Sequence, residues 1–183
     1  PVDTAGASTG VHVGAHQKHL LGGTYSGGMA CATCHARVGS YTLTHPNGVT
    51  DVGFTGAANA NLQKGTWRPG AGGAAGTCAS TWCHGAVIST GGPAGGTMLT
   101  PSWTGTITAC TACHGTPPST GRHTSESGHR VSCGYCHGGT YTATAVDKTR
   151  HVNGVIEVNG PRIRSWDPVT HRCYPTCHGS ETW

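Results

Sequence analysis

Apolar positions are sparse along this chain and weakly patterned between its short motifs. No stretch approaches the ~18 consecutive apolar residues of a membrane span. Two segments carry a turn signal followed by alternating apolar positions: His-Pro-Asn-Gly-Val-Thr-Asp-Val at 45–52 and His-Val-Asn-Gly-Val-Ile-Glu-Val at 151–158. Each predicts a turn at Asn-Gly and a short strand after it. Residues 69–77 and 89–97 are Gly-rich and read as loops. Pro117-Pro118 predicts an extended exit from the segment before it.

Composition sharpens the problem. Leu, Ile, Val and Phe together number 23 of 183 residues, below the roughly 20% at which a chain struggles to bury a core. There are 31 Gly, the residue that loses most backbone entropy on folding. Disorder would normally come with high charge, yet only 10% of residues are charged, and there are 10 Cys and 13 His. Something other than side chains must supply the core. The pI near 8.6 does not signal nucleic acid, because no Lys/Arg run occurs.

All ten cysteines fall in five motifs, each closed by His. They are Cys31-Ala-Thr-Cys34-His35, Cys78-Ala-Ser-Thr-Trp-Cys83-His84, Cys110-Thr-Ala-Cys113-His114, Cys133-Gly-Tyr-Cys136-His137 and Cys173-Tyr-Pro-Thr-Cys177-His178. CxxCH is the attachment signature of c-type haem. Two thiols add to the two vinyl groups of the porphyrin, and the adjacent His takes one axial position on iron. The gaps of four and three residues in the second and fifth motifs widen the loop but keep His beside the second Cys. Zinc would need these clusters to pair into tetrahedral sites, which five Cys2His groups do not do neatly. Disulfides would not explain a His after every second Cys. Five haems then provide the missing core. Each ferric haem brings about one negative charge, so the formal +4 becomes about −1.

Eight further histidines remain for the second axial positions: His12, His16, His19, His45, His123, His129, His151 and His171. They exceed the five vacancies, so bis-His ligation is expected without Met29 or Met98. His16, His19, His45, His123, His129 and His151 are the candidate distal ligands. His12 is a weaker candidate, and His171 lies too close to Cys173 to reach that haem's far face. The order His pair, CxxCH, HxNGVxxV, Trp, long-gap CHG occurs twice, with Trp67 and Trp166 in the Trp place. The recurrence of His45 and His151 at one point of this order makes them the leading distal candidates. The expected fold is one domain over 1–183, mostly irregular coil with short helical turns at the motifs and a few short strands, cored by haem. Repeat-like units span about 12–85 and 120–183, with the third motif, 110–114, between them.

The alternation of CxxCH with CxxxxCH, with Ala15-His16-Gln17-Lys18-His19-Leu20 and His114-Gly115-Thr116-Pro117-Pro118, resembles the multihaem cytochromes of metal-reducing bacteria. Some of these polymerise into extracellular filaments, or nanowires. The resemblance implies bis-His haems stacked in alternating parallel and T-shaped pairs, and a His ligand donated from one subunit to the next. The common filament proteins carry four or six haems; this chain has motifs for five. The expected function is electron transfer rather than catalysis, either as a filament subunit or as a soluble shuttle. Partners would be further copies of the chain, redox proteins or extracellular acceptors. A small multihaem reductase would need an open iron position, often with CxxCK, which is absent here. Haem attachment takes place outside the bacterial cytoplasm, so an exported location is expected, extracellular or periplasmic.

Overall fold

The computed structural model describes residues 7–35, 50–85, 95–123, 129 and 131–183. Most of them are coil and turn. Helix is confined to α1, His16–Leu21, α2, Gly134–His137, and 3-10 turns at Cys31–Thr33, Gly56–Asn59, Trp82–His84 and Cys110–Ala112. Four of the five Cys-His motifs thus carry a helical turn. In the first and fourth, the N–H of the motif His bonds the first Cys carbonyl, His35 to Cys31 at 2.9 Å and His137 to Cys133 at 3.0 Å. That one-turn closure keeps two thiols and an imidazole on one side of the chain.

The fifth motif departs from the expected helical turn. Its first cysteine, Cys173, lies in a strand, and no helical turn follows it as Trp82–His84 follows Cys78 in the second motif. Strands β1, Thr66–Arg68, and β2, Thr77–Ala79, form one antiparallel hairpin. Strands β3, Ile163–Asp167, β4, Arg172–Pro175, and β5, Glu181–Thr182, form a second antiparallel sheet in that order. In the first hairpin Trp67 pairs with Cys78, and in the second Trp166 pairs with Cys173. Both long-gap motifs therefore begin on a strand, opposite a tryptophan.

The strand expected at 155–158 does not form. Its backbone groups are engaged elsewhere: the Val155 N–H donates to Asn153 Oδ1 at 2.8 Å, and the Glu157 carbonyl accepts from His137 Nδ1 at 2.8 Å. The turn at 151–154 is present. Residues 69–76 form the loop joining β1 to β2. The Thr116–Pro117 bond is cis. Most of the 89–97 loop, the 45–49 turn and His45 lie outside the described residues.

Side chains do not build a conventional core. The buried apolar residues described are Val13, Ala15, Ala58, Ala112, Val158 and Cys173, and the largest fully buried side chain is that of Thr81. In place of a core there is a cavity of about 970 Å³. Val131 and Val155, 46% and 56% exposed, line it. Among the described residues no helix is long and apolar enough to cross a membrane.

Candidate functional site

Every motif histidine stands across a gap from one non-motif histidine. The ring centroids are 6.1 Å apart for His35 and His16, 6.2 Å for His84 and His19, and 6.1 Å for His114 and His151. They are 5.9 Å apart for His137 and His123 and 5.7 Å for His178 and His129. The separations are nearly uniform although the pairs come from different elements. His16 and His19 share α1, one turn apart, yet serve different motifs. The planes of His16/His35 and His123/His137 are 18° and 9° from parallel. Those of His19/His84, His114/His151 and His129/His178 cross at 82°, 74° and 84°.

Eight of these ten imidazoles place Nδ1 against a backbone carbonyl. His16 bonds Val13, His19 bonds Ala15 and His123 bonds Thr120, at 2.7, 2.9 and 2.7 Å. His35 bonds Asp51, His137 bonds Glu157 and His151 bonds Tyr25, at 2.6, 2.8 and 2.5 Å. His114 and His178 bond the carbonyls of Gly115 and Gly179 at 2.6 and 2.7 Å. A carbonyl only accepts, so each Nδ1 carries the proton and each Nε2 keeps its lone pair. This is the arrangement that orients a metal-ligating histidine and raises its basicity. Asp51 and Glu157 occupy the same place in the two HxNGVx(D/E)V segments, six residues after His45 and His151.

Burial favours the neutral form of four of these rings. His84 is held down at about 4, mainly by burial and then by His19. Burial likewise lowers His16, His123 and His151. The neutral imidazole is the form that binds metal.

All ten cysteines are free thiols. Burial first, and then neighbouring thiols, pushes Cys34, Cys78 and Cys113 up to about 11. Burial also raises Cys83, Cys136 and Cys173. The neighbours responsible reveal a series. Cys34 feels Cys83, Cys113 feels Cys83, and Cys136 feels Cys177. Motif one therefore adjoins motif two, two adjoins three, and four adjoins five. The large cavity joins the middle of the series, being lined by His84, His114 and His137 together. The five motifs follow one another in space in their sequence order.

Among the described residues, one group of His, Cys, Asp and Glu brings three ligand atoms within 4.8 Å of one another: His129, His178 and Glu181. It contains no cysteine. No tetrahedral zinc centre built on cysteine is assembled there.

Of the candidate distal ligands, His16, His19, His123, His129 and His151 each face a motif histidine. His45 lies outside the described residues. His12 is exposed, and His171 stacks on Trp166 at 6.1 Å. Sequence reasoning had no rule for matching distal to proximal histidines. The matching has a rule in both units: the first His of each upstream pair meets the CxxCH histidine, and the second meets the long-gap histidine. It also missed Trp103 and Trp183, which touch the paired rings. Gly-x-His at 14–16 and 121–123 is the signal that could have pointed to them. Compared with protein-family models, with curated proteins and with solved structures, the chain finds no match.

Proposed function

We propose that this chain is a five-haem c-type cytochrome that carries electrons along five haems in series, each held between the members of one histidine pair. The five centroid separations carry the reading. With a metal–nitrogen bond of ~2 Å on each side and half an imidazole ring beyond it, two trans ligands stand with their centroids ~6 Å apart. Separations of 5.7–6.2 Å meet that requirement five times, with each motif His used once. Two further features fit a haem. Both thiols of each motif are unpaired. The cavity against the middle three motifs is left open by a chain with too few large apolar side chains to fill it.

A c-type haem supplies a one-electron ferric/ferrous couple. The chain's residues define what that couple is used for. Ten imidazoles in five facing pairs would hold five such groups, two rings to each, with no position left for a substrate, and the reading is a carrier rather than an enzyme. The carbonyl-bound Nδ1 protons would strengthen the ligands and favour one direction for each ring. The cysteine pairs hold each group covalently, so it stays in place through repeated oxidation and reduction.

The series ends at the His16/His35 site and the His129/His178 site, beside the exposed thiols of Cys31 and Cys177. Exposed ends suit hand-over between copies, and we read the chain as the subunit of an extracellular filament. Because every motif histidine has an intrachain partner, end-to-end contact needs no donated ligand. The test is intact mass under denaturing conditions, the reduced visible spectrum and electron microscopy on one secreted preparation. We expect the 18.6 kDa chain plus five haem increments, low-spin bands and ordered fibres. A bare polypeptide mass overturns the haem reading. Isolated particles with five haems leave it standing and replace the filament by a soluble shuttle.

A further inference from the structure

Two tryptophans that belong to no motif stand at the same place in the two halves of the site. Trp103 meets His16 edge-on, with centroids 4.8 Å apart and planes at 88°, and lies parallel to His19 at 5.8 Å and 11°. Trp183 meets His123 edge-on at 5.0 Å and 75°, and approaches His129 at 5.8 Å and 65°. Each indole thus contacts both histidines of one upstream pair. Trp103 follows motif two and Trp183 follows motif five at quite different sequence distances, 19 and 5 residues after the motif His. The likeness lies in the place reached, not in the spacing.

The backbone makes room for each indole. Gly14, two residues before His16, has φ +47°, and a Cβ there would lie 1.9 Å from Trp103 Nε1. Gly121, two residues before His123, has φ +63°, and a Cβ there would lie 2.8 Å from the Trp183 ring. Both positions demand glycine twice over, for the left-handed backbone and for the close approach. The backbone N–H of Trp103 donates to the Gly76 carbonyl at 2.8 Å, and the backbone N–H of Trp183 donates to the His171 carbonyl at 2.9 Å. These bonds tie down the backbone that carries each indole.

We propose that Trp103 and Trp183 are positioning residues that fix the planes of the distal imidazoles, and in particular hold His16/His35 and His123/His137 near parallel. The inference rests on the bis-His reading above. The physical argument concerns rotation of a ligand ring about the bond from Cβ. The Nδ1 bond to the Val13 or Thr120 carbonyl favours one ring direction. A hydrogen bond to water could replace it at little net cost. The indole edge, packed across the ring at about 5 Å, sterically blocks the turn that such an exchange would permit. The second histidine of each pair is fixed by the same indole, with its plane crossing that of its motif partner instead.

The plane angle has a direct readout. When two imidazoles are parallel, their π-donation splits the two iron d orbitals that they share, and ferric low-spin iron gives a rhombic resonance. When they cross, the orbitals stay nearly degenerate and the resonance is a single, strongly anisotropic feature. The experiment is electron paramagnetic resonance of the oxidised holoprotein for Trp103→Leu, Trp183→Leu and Trp103→Phe, each with its haem content measured. We expect five haems in each, loss of about half of the rhombic intensity in either Leu variant, and recovery of it in the Phe variant. Undiminished rhombic intensity in both Leu variants with five haems bound overturns the proposal. If Trp103→Leu fails to load haem, Trp183→Leu and Trp103→Phe still decide it. Absence of haem from the unmutated protein is a different outcome and refutes the bis-His reading itself.

Discussion

Of the two histidines that the sequence repeat singles out, His151 lies among the described residues. His45 and His151 hold the same place in HxNGVxxV, and that parity made both leading ligand candidates. His151 faces His114, the histidine of the middle motif. The residue after it, Val152, has φ +64°, an uncommon conformation for a β-branched residue. The residue in the same place after His45 is Pro46. In the proposed arrangement five described histidines already face the five motif histidines. Replacing His151 with Ala should open one iron in five, seen as a high-spin signal and as carbon monoxide binding to one ferrous haem. His45→Ala should leave all five closed, and the two variants compared side by side by optical titration check both statements. The motifs themselves were legible because each is local: two thiols and one His within a few residues. The pairing was not, because it joins residues such as His19 and His84 that only the folded chain brings together.

At the scale of elements, the sequence foretold short helical turns and loops, and they are present at four motifs. The strand after Asn153-Gly154 was misread because alternation of apolar residues was taken as pairing. The carbonyl of Glu157 is the acceptor for His137 Nδ1 instead, and that of Asp51 serves His35 in the same way. The backbone carbonyls of Glu157 and Asp51 act here as supports for imidazole rings. Glycine has a comparable role between motifs. Gly85, directly after the second motif, has φ +75°, and a Cβ there would lie 1.8 Å from the Cys113 carbonyl oxygen. It lets motifs two and three approach backbone to backbone. Gly72, in the loop between β1 and β2, has φ +59° with open space around it. Gly72→Ala should cost only the left-handed penalty of about 1–2 kcal/mol. Gly85→Ala adds a backbone clash and should cost well over 2 kcal/mol. Thermal melts of the two holoproteins should therefore differ, with the Gly85 variant melting several degrees lower; equal melting would mean that motifs two and three are not in that contact.

For the whole molecule, the account turns on what replaces a hydrophobic core. The composition leaves few large apolar side chains for one, and among the described residues the largest fully buried side chain is a threonine. The order of the five sites in space was not foreseeable from composition or spacing, since it depends on contacts between motifs far apart in the chain. In the proposed molecule those sites hold five irons with ligand planes of two kinds, near-parallel at two sites and crossed at three. That division is a property of the whole chain and of no single motif. It is best measured by electron paramagnetic resonance of the fully oxidised, unmutated protein, with the low-spin signals integrated against haem content. The account predicts five low-spin irons per chain, two rhombic and three strongly anisotropic, with no high-spin signal. A high-spin iron, or five signals of one kind, would contradict the pairing on which the function rests.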